Sequence, residues 1–164
     1  MPATEKTPQV KLGLQCIASA KEPDLLVTLR NTGTGDANVV FGITLGNGRT
    51  YHAGALFLEA KRRDGNTVES FQIDDSMPRI AGRLDPWIVP LPVGSEFSIS
   101  RPIGLFRSPD NKPLSISSSM ELRVKLISRR EDRPRGDDAV GPGLVHVMPG
   151  ELQSAWISVP ESCR

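Results

Sequence analysis

Five side chains in this 164-residue chain could ligate a soft metal or attack a carbonyl: Cys16, Cys163, His52, His146 and Met148. A blue-copper site needs one Cys and two His close together, with a weak axial Met. His146 and Met148 share one segment, but no Cys lies beside them, and neither C-x-x-C nor H-x-H occurs. The expectation is no metal and no cofactor, with both histidines solvated on loops. Ser, His and Asp are present, as in almost any chain, but no G-x-S-x-G elbow exists. Cys16 sits at an apolar strand position, where a thiol is usually inert packing. Asp74 and Asp75 are adjacent at a strand exit, so they point to opposite faces and make a poor carboxylate pair. "GNGRT" and "VGSEF" lack the Lys and the length of a phosphate-cradling loop. Trp87 and Trp156 could serve as sugar platforms; the preferred reading is that they cap or fill a core. Arg135-Gly136-Asp137 spells an adhesion tripeptide, which this composition produces by chance. These residues argue against an enzyme.

The elements that position such residues are strands. Alternation with period two marks a strand with one buried face. Val10, Leu12, Leu14, Cys16 and Ala18 form a first such row; Leu25, Val27 and Leu29 a second; Val39, Phe41, Ile43 and Leu45 a third. "GNG" at Gly46–Gly48 predicts a turn, and Asp64-Gly65 predicts a hairpin returning through Val68–Ile73. Trp87–Leu91 carries prolines on both sides and at Pro90, so it can only be an edge strand or an extended linker. Phe97–Ile103 reads as a strand, although Arg101 shares its alternation with Phe97 and Ile99. That conflict needs a bulge near Pro102 or an edge position. Met120, Leu122, Val124 and Leu126 alternate cleanly with charged residues, and Leu152–Val159 reads as the last strand. No segment carries a helical stripe.

Composition agrees with one globular domain over residues 1–164. Hydrophobic residues make up 38% and charged residues 24%, too apolar for a disordered chain. The net charge is +1, with basic groups interleaved with acids as in "RREDRPRGDD". A nucleic-acid binder would show an unbalanced basic face, so that class is set aside. No apolar run approaches the ~20 residues of a bilayer span. "MPATEKTPQVKLG" contains no apolar signal core. The compartment is therefore extracytoplasmic, periplasmic or secreted, if a signal peptide has been removed, and cytoplasmic otherwise. A monomer is expected.

The stretch "LLVTLRNTGTGDANVVF" resembles the strand–turn–strand unit of bacterial immunoglobulin-like adhesion and surface domains, the CARDB-like group. "PLPVGSEFSISRPIGLF" and "LQSAWISVP" look like later strands of such sandwiches, and a similar pattern occurs in the BsuPI-like proteinase inhibitors. The resemblance implies an all-β, immunoglobulin-like antiparallel β-sandwich of Greek-key type with about seven to nine strands. In such sandwiches the first and last strands often run parallel and adjacent. That arrangement would bring Cys16, near the end of the first strand, beside Cys163, just past the last. The alternative is one buried thiol and one tail thiol. A disulfide would favour an oxidising compartment.

The segment Arg129–Gly150 is longer than the loop usual at that place in the family. Loops beyond ~12–15 residues are uncommon and usually functional or disordered. Its Arg129, Arg130, Arg133 and Arg135 offer planar donors for carboxylates. Asp137 and Asp138 offer the opposite charge, and His146 lies in the apolar run "LVHVM". These residues are the candidate surface for a protein partner; a solvated insert is the alternative. The expected function is a non-catalytic binding or structural module outside the cytoplasm. A BsuPI-like inhibitor presenting a loop is the second reading, and an enzyme or cupredoxin-like metal carrier the third.

Overall fold

The computed structural model describes residues 5–52, 54–73, 84–128 and 150–164. Among them are twelve strands: β1 (Val10–Ile17), β2 (Asp24–Asn31), β3 (Ala37–Leu45), β4 (Thr50–Tyr51), β5 (Leu56–Arg62), β6 (Val68–Ile73), β7 (Leu84–Leu91), β8 (Glu96–Pro102), β9 (Phe106–Arg107), β10 (Met120–Ser128), β11 (Gly150–Gln153) and β12 (Ile157–Ser158). The only helical pieces among the described residues are single 3₁₀ turns at Ile103–Leu105 and Glu161–Cys163. Every strand pairing among the described residues is antiparallel. The protein is an all-β sandwich. The strand count exceeds the about seven to nine expected of an immunoglobulin-like domain, because β4, β9, β11 and β12 are two to four residues long. Period-two alternation does not show in so few residues.

The strands fall into three ladders, β1-β2-β8, β4-β3-β7 and β11-β10-β5-β6-β9, with β12 also paired to β10. Each contributes its apolar rows to one core. Leu12, Leu14, Leu25, Val27 and Leu29 come from the first ladder, Val39, Phe41, Val89 and Leu91 from the second, and Leu56, Leu58, Phe71, Leu122, Val124 and Leu126 from the third. The rows seen in the sequence are thus the rows that are buried, except that β1 stops at Ile17, before Ala18. Burying one such side chain is worth ~1.5–3 kcal/mol, so each row also fixes strand register, since a one-residue slip would turn it to solvent.

"NTGTGD" is the corner at which the chain leaves the first ladder for the second. The side chain of Asn31 is fully buried there. Its Nδ2 donates to the carbonyls of Gly35 (2.8 Å) and Leu91 (2.9 Å), and its Oδ1 accepts from the amides of Gly33 (2.9 Å) and Gln9 (3.4 Å). One amide therefore ties the turn to β7 and to the N-terminal segment. The return crossing, from β7 to β8, runs beside it: the Val93 amide donates to Asp36 Oδ1 at 3.0 Å. Gly33 is required because a Cβ there would lie 2.3 Å from the Gln9 nitrogen and 2.4 Å from the Thr7 oxygen.

β7 pairs with β3 alone and β8 with β2 alone, so both are edge strands among the described residues. Pro86 and Pro90 are tolerated on β7 for that reason. The β2–β8 register runs without a shift, placing Arg101 opposite Leu25. The Arg101 conflict is therefore resolved by an edge position rather than by a bulge.

Two expectations about the last strand are corrected. Leu152–Val159 is not continuous: it breaks at Ser154, whose amide donates to the Val124 carbonyl while its Oγ accepts from the Val124 amide, both at 3.0 Å. The chain then resumes against β10 as β12. The first and last strands also do not pair with each other; β1 pairs with β2 and β12 with β10. Cys16 and Cys163 are nevertheless joined in a disulfide, with Cα atoms 6.2 Å apart. The bond therefore links the three-stranded ladder of β1 to the 3₁₀ turn that follows β12.

Candidate functional site

The most ordered arrangement of polar side chains lies on the outward face of β5 and β10. Leu56, Leu58 and Ala60 turn inward on β5, so alternation turns Phe57, Glu59 and Lys61 outward. On β10, Leu122, Val124 and Leu126 are buried, which turns Glu121, Arg123 and Lys125 outward. The register sets opposite types across from each other: Glu121 against Lys61, Arg123 against Glu59, and Lys125 against Phe57. Cross-strand pairs of this kind stabilise a sheet by ~0.2–1 kcal/mol each.

Glu59 is the centre. Its carboxylate accepts from Arg123 Nε at 2.5 Å and from Lys125 Nζ at 3.1 Å. Lys61 and Glu121 form a second pair at 3.3 Å. Burial alone would raise the Glu59 carboxyl, but hydrogen bonds from Arg123 and Lys125, together with their charge, outweigh it and hold it below the usual carboxylate range. The sign of the pH effect follows. A folded pKa below the unfolded one contributes stability that is fully present above the unfolded value, 4.5, and is lost as pH falls through the folded value. Urea unfolding of the wild type is expected to weaken below that pH, and Glu59→Gln to flatten this acid limb. At neutral pH the variant should lose on the order of 2 kcal/mol, the scale of hydrogen bonds to a charged group. An unchanged acid limb would remove Glu59 as its source.

Trp156 completes the face. The Lys61 ammonium and the Arg123 guanidinium each lie 4.5 Å from its ring centroid, within reach for attraction by the ring quadrupole. Lys125 lies 5.4 Å from the Phe57 ring. Trp156 thus stands over the outward charges of β5 and β10, correcting the reading that it caps or fills the core. The break at Ser154 swings it over the β10 charges. Trp87 does pack against the core, edge-on to Phe41 with centroids 5.2 Å apart.

A second polar group is interior. His52 is 3% exposed, which corrects its reading as a solvated loop residue. Its Nδ1 is 3.2 Å from the Phe41 carbonyl, and its Nε2 accepts from Arg101 Nε at 3.1 Å. The Arg101 bond requires a lone pair on Nε2, so the Nδ1 proton donates to Phe41. The Phe41 and Trp87 rings pack against His52, and Phe97 packs edge-on to both of those rings. His52 and Arg101 join the second ladder to the first through a polar contact inside an aromatic wall.

The sequence-derived site residues stand as follows. Cys16 and Cys163 come together. Arg129, Arg130, Arg133, Arg135, Asp137, Asp138 and His146 lie outside the described residues, as do Asp74, Asp75 and Met148. The ends of the segment are described: Ser128 and Gly150 are register partners in the β10–β11 hairpin. Ser128 ends β10, the strand that carries Glu121, Arg123 and Lys125, and Gly150 opens β11. Among the described residues, no three His, Cys, Asp or Glu side chains gather as metal ligands, and no helix is long and apolar enough to cross a membrane.

No family model, curated protein or solved structure matches this chain. The Glu59–Trp156 face was missing from the sequence reading. Its one-dimensional signal is charge at every second residue of β5 and β10, with signs that become complementary only once the register is known.

Proposed function

We propose that the protein is a non-catalytic binding module of immunoglobulin-like type that works outside the cytoplasm and takes its partner on the Trp156 face. The observation that carries this is the Lys61–Trp156–Arg123 stack. An aromatic ring and charges of both signs are held in place by cross-strand pairs on a rigid sheet, so little side-chain freedom remains to be lost on binding. Trp, Tyr and Arg are the residues that most often dominate interface energetics. The segment 129–149 extends from the same hairpin, where a rigid scaffold would position a variable recognition loop. The disulfide supports the compartment, because such bonds persist where the surroundings are oxidising.

The test uses the intact protein, Trp156→Ala, and a form with residues 130–143 replaced by a Gly/Ser linker, each immobilised and offered cell-envelope protein and glycan fractions. The expected result is a partner held by the intact protein and released at least tenfold more readily from Trp156→Ala. Equal retention by both variants overturns the site. Inhibition of an endopeptidase in a protease panel, lost in the linker form, would replace this reading with that of a loop-presenting inhibitor.

A further inference from the structure

We propose that the cleft at the turn end of the β5–β6 hairpin is a binding site for a small carboxylated sugar. It is an open cleft of about 490 Å³, within the ~300–1,000 Å³ range of small-molecule sites. The cleft shares only Lys61 with the Trp156 face, and the Lys61 ammonium is turned to Glu121 and the Trp156 ring. In the ladder register Ala60 stands opposite Glu69, and Arg62 opposite Met120. Alternation along β5 and β10 sets these four on the core side of the sheet, where Trp156 is not.

The lining matches the ligand group by group. Arg62 supplies a guanidinium. Asp64 holds Arg62 only at 3.5 Å, with both side chains more than 70% exposed, so an incoming carboxylate can replace it in a bidentate pair. Thr67, Ser117 and Ser119 line the wall. The two serine hydroxyls lie 3.1 Å apart, and each keeps further donor or acceptor capacity. Glu69 accepts from sugar hydroxyls. It stands diagonally from Arg62, about 7 Å away by strand geometry, a span for a ring rather than a single ion. Met120 gives an apolar contact for the C–H face of a pyranose. The Arg62 guanidinium selects an anion, while Glu69 opposes a phosphate dianion. Three hydroxyls select a polyol over a simple carboxylate.

The experiment titrates ¹⁵N-labelled full-length protein with sodium glucuronate, and separately with glucose, alanine and inorganic phosphate. Glucuronate is expected to shift the amides of Arg62, Thr67, Glu69, Ser117 and Ser119 saturably. Arg62→Gln should weaken that binding about tenfold, the loss of one charge-assisted pair. Glu69→Gln should weaken glucuronate and strengthen phosphate. Both changes are at exposed positions, and the remaining amide spectrum reports whether the fold is intact. Trp156→Ala leaves Arg62, Glu69 and the three hydroxyls in place, so saturable glucuronate binding should persist, and failure of the macromolecular reading is separable from failure here. Absence of saturable shifts, an unaltered affinity in Arg62→Gln, or equal binding of glucose, alanine or phosphate would each overturn the proposal.

Discussion

Replacing Cys16 and Cys163 together by Ser is expected to lower the unfolding free energy by about 5 kcal/mol in the chain-entropy model, because the bond spans 147 residues. That is a large share of the ~5–15 kcal/mol that holds an ordinary domain. The magnitude has a structural reason beyond loop length. The bond joins β1, in the ladder β1-β2-β8, to the turn beyond β12, which pairs in the largest ladder. No hydrogen-bonded register links those two strands. Separating the sandwich layers and freeing the C-terminal tail therefore become one event when the bond is intact. Cys163 is 1% exposed, so its half of the bridge is also core packing, and Ser leaves a buried hydroxyl in its place. Urea unfolding of wild type and double variant, followed by Trp fluorescence, measures the difference. A loss below ~1 kcal/mol would show that β1 and the tail are held by packing alone. Thiol titration of denatured, non-reduced protein isolated from an oxidising compartment should find no free thiol. Two reactive thiols would reject the bond.

What was legible in the sequence follows from which residues have a repeating environment. β1, β2 and β10 each set one face on the core, so burial recurs every second residue and the row can be read without knowing the partner strand; on β3 and β5 the apolar alternation was legible although burial extends to both faces at Val39–Ile43 and to Glu59. The disulfide needed only that both cysteines reach one end of the sandwich, although the expected pairing of first and last strands is absent. His52 could not be read in this way. It follows a two-residue strand, so no alternation shows that it points inward, and its partner Arg101 is 49 positions away. Arg101 looked like an error in an apolar row for the same reason; its justification is a buried ring on another ladder. Trp156 depends on the Ser154 break. That break arises because a serine hydroxyl substitutes for a ladder hydrogen bond, and a polar residue within an apolar run does not announce it. The Glu59 cluster required the β5–β10 register, which comes from folding rather than from either strand alone.

Gly42→Ala is expected to cost roughly 4 kcal/mol, from overpacking against backbone at ~1–3 and a backbone conformation that side chains resist at ~1–3. Gly42 has φ 150°. It sits where the β3–β7 register shifts between Val40 and Gly42, the mark of a bulge, which leaves Phe41 without a partner in the ladder and the local twist increased. That shift accompanies a fully buried Phe41 ring, packed against His52, Trp87 and Phe97. It also accompanies a close crossing of β3 by the chain at Tyr51 and His52. A Cβ at position 42 would come within 1.9 Å of the Tyr51 oxygen, 2.8 Å of its carbonyl carbon and 2.9 Å of the His52 Cα. All three are backbone atoms, so no side-chain rotation relieves the contact. The chain from Thr50 to His52 must move away, taking with it the 3.2 Å contact of His52 with the Phe41 carbonyl and the 3.1 Å bond from Arg101. Gly48→Ala is the control. Its φ is also positive, at 80°, but nothing lies within 4 Å of its added Cβ, so only the conformational part, ~1 kcal/mol, should be lost. Urea midpoints of the two variants separate the contributions, and near-ultraviolet circular dichroism reports the Trp87 environment, since Trp87 is the register partner of Gly42. If Gly42→Ala unfolds no earlier than Gly48→Ala, the crossing at Tyr51 has room to yield, and the bulge does not fix the aromatic wall.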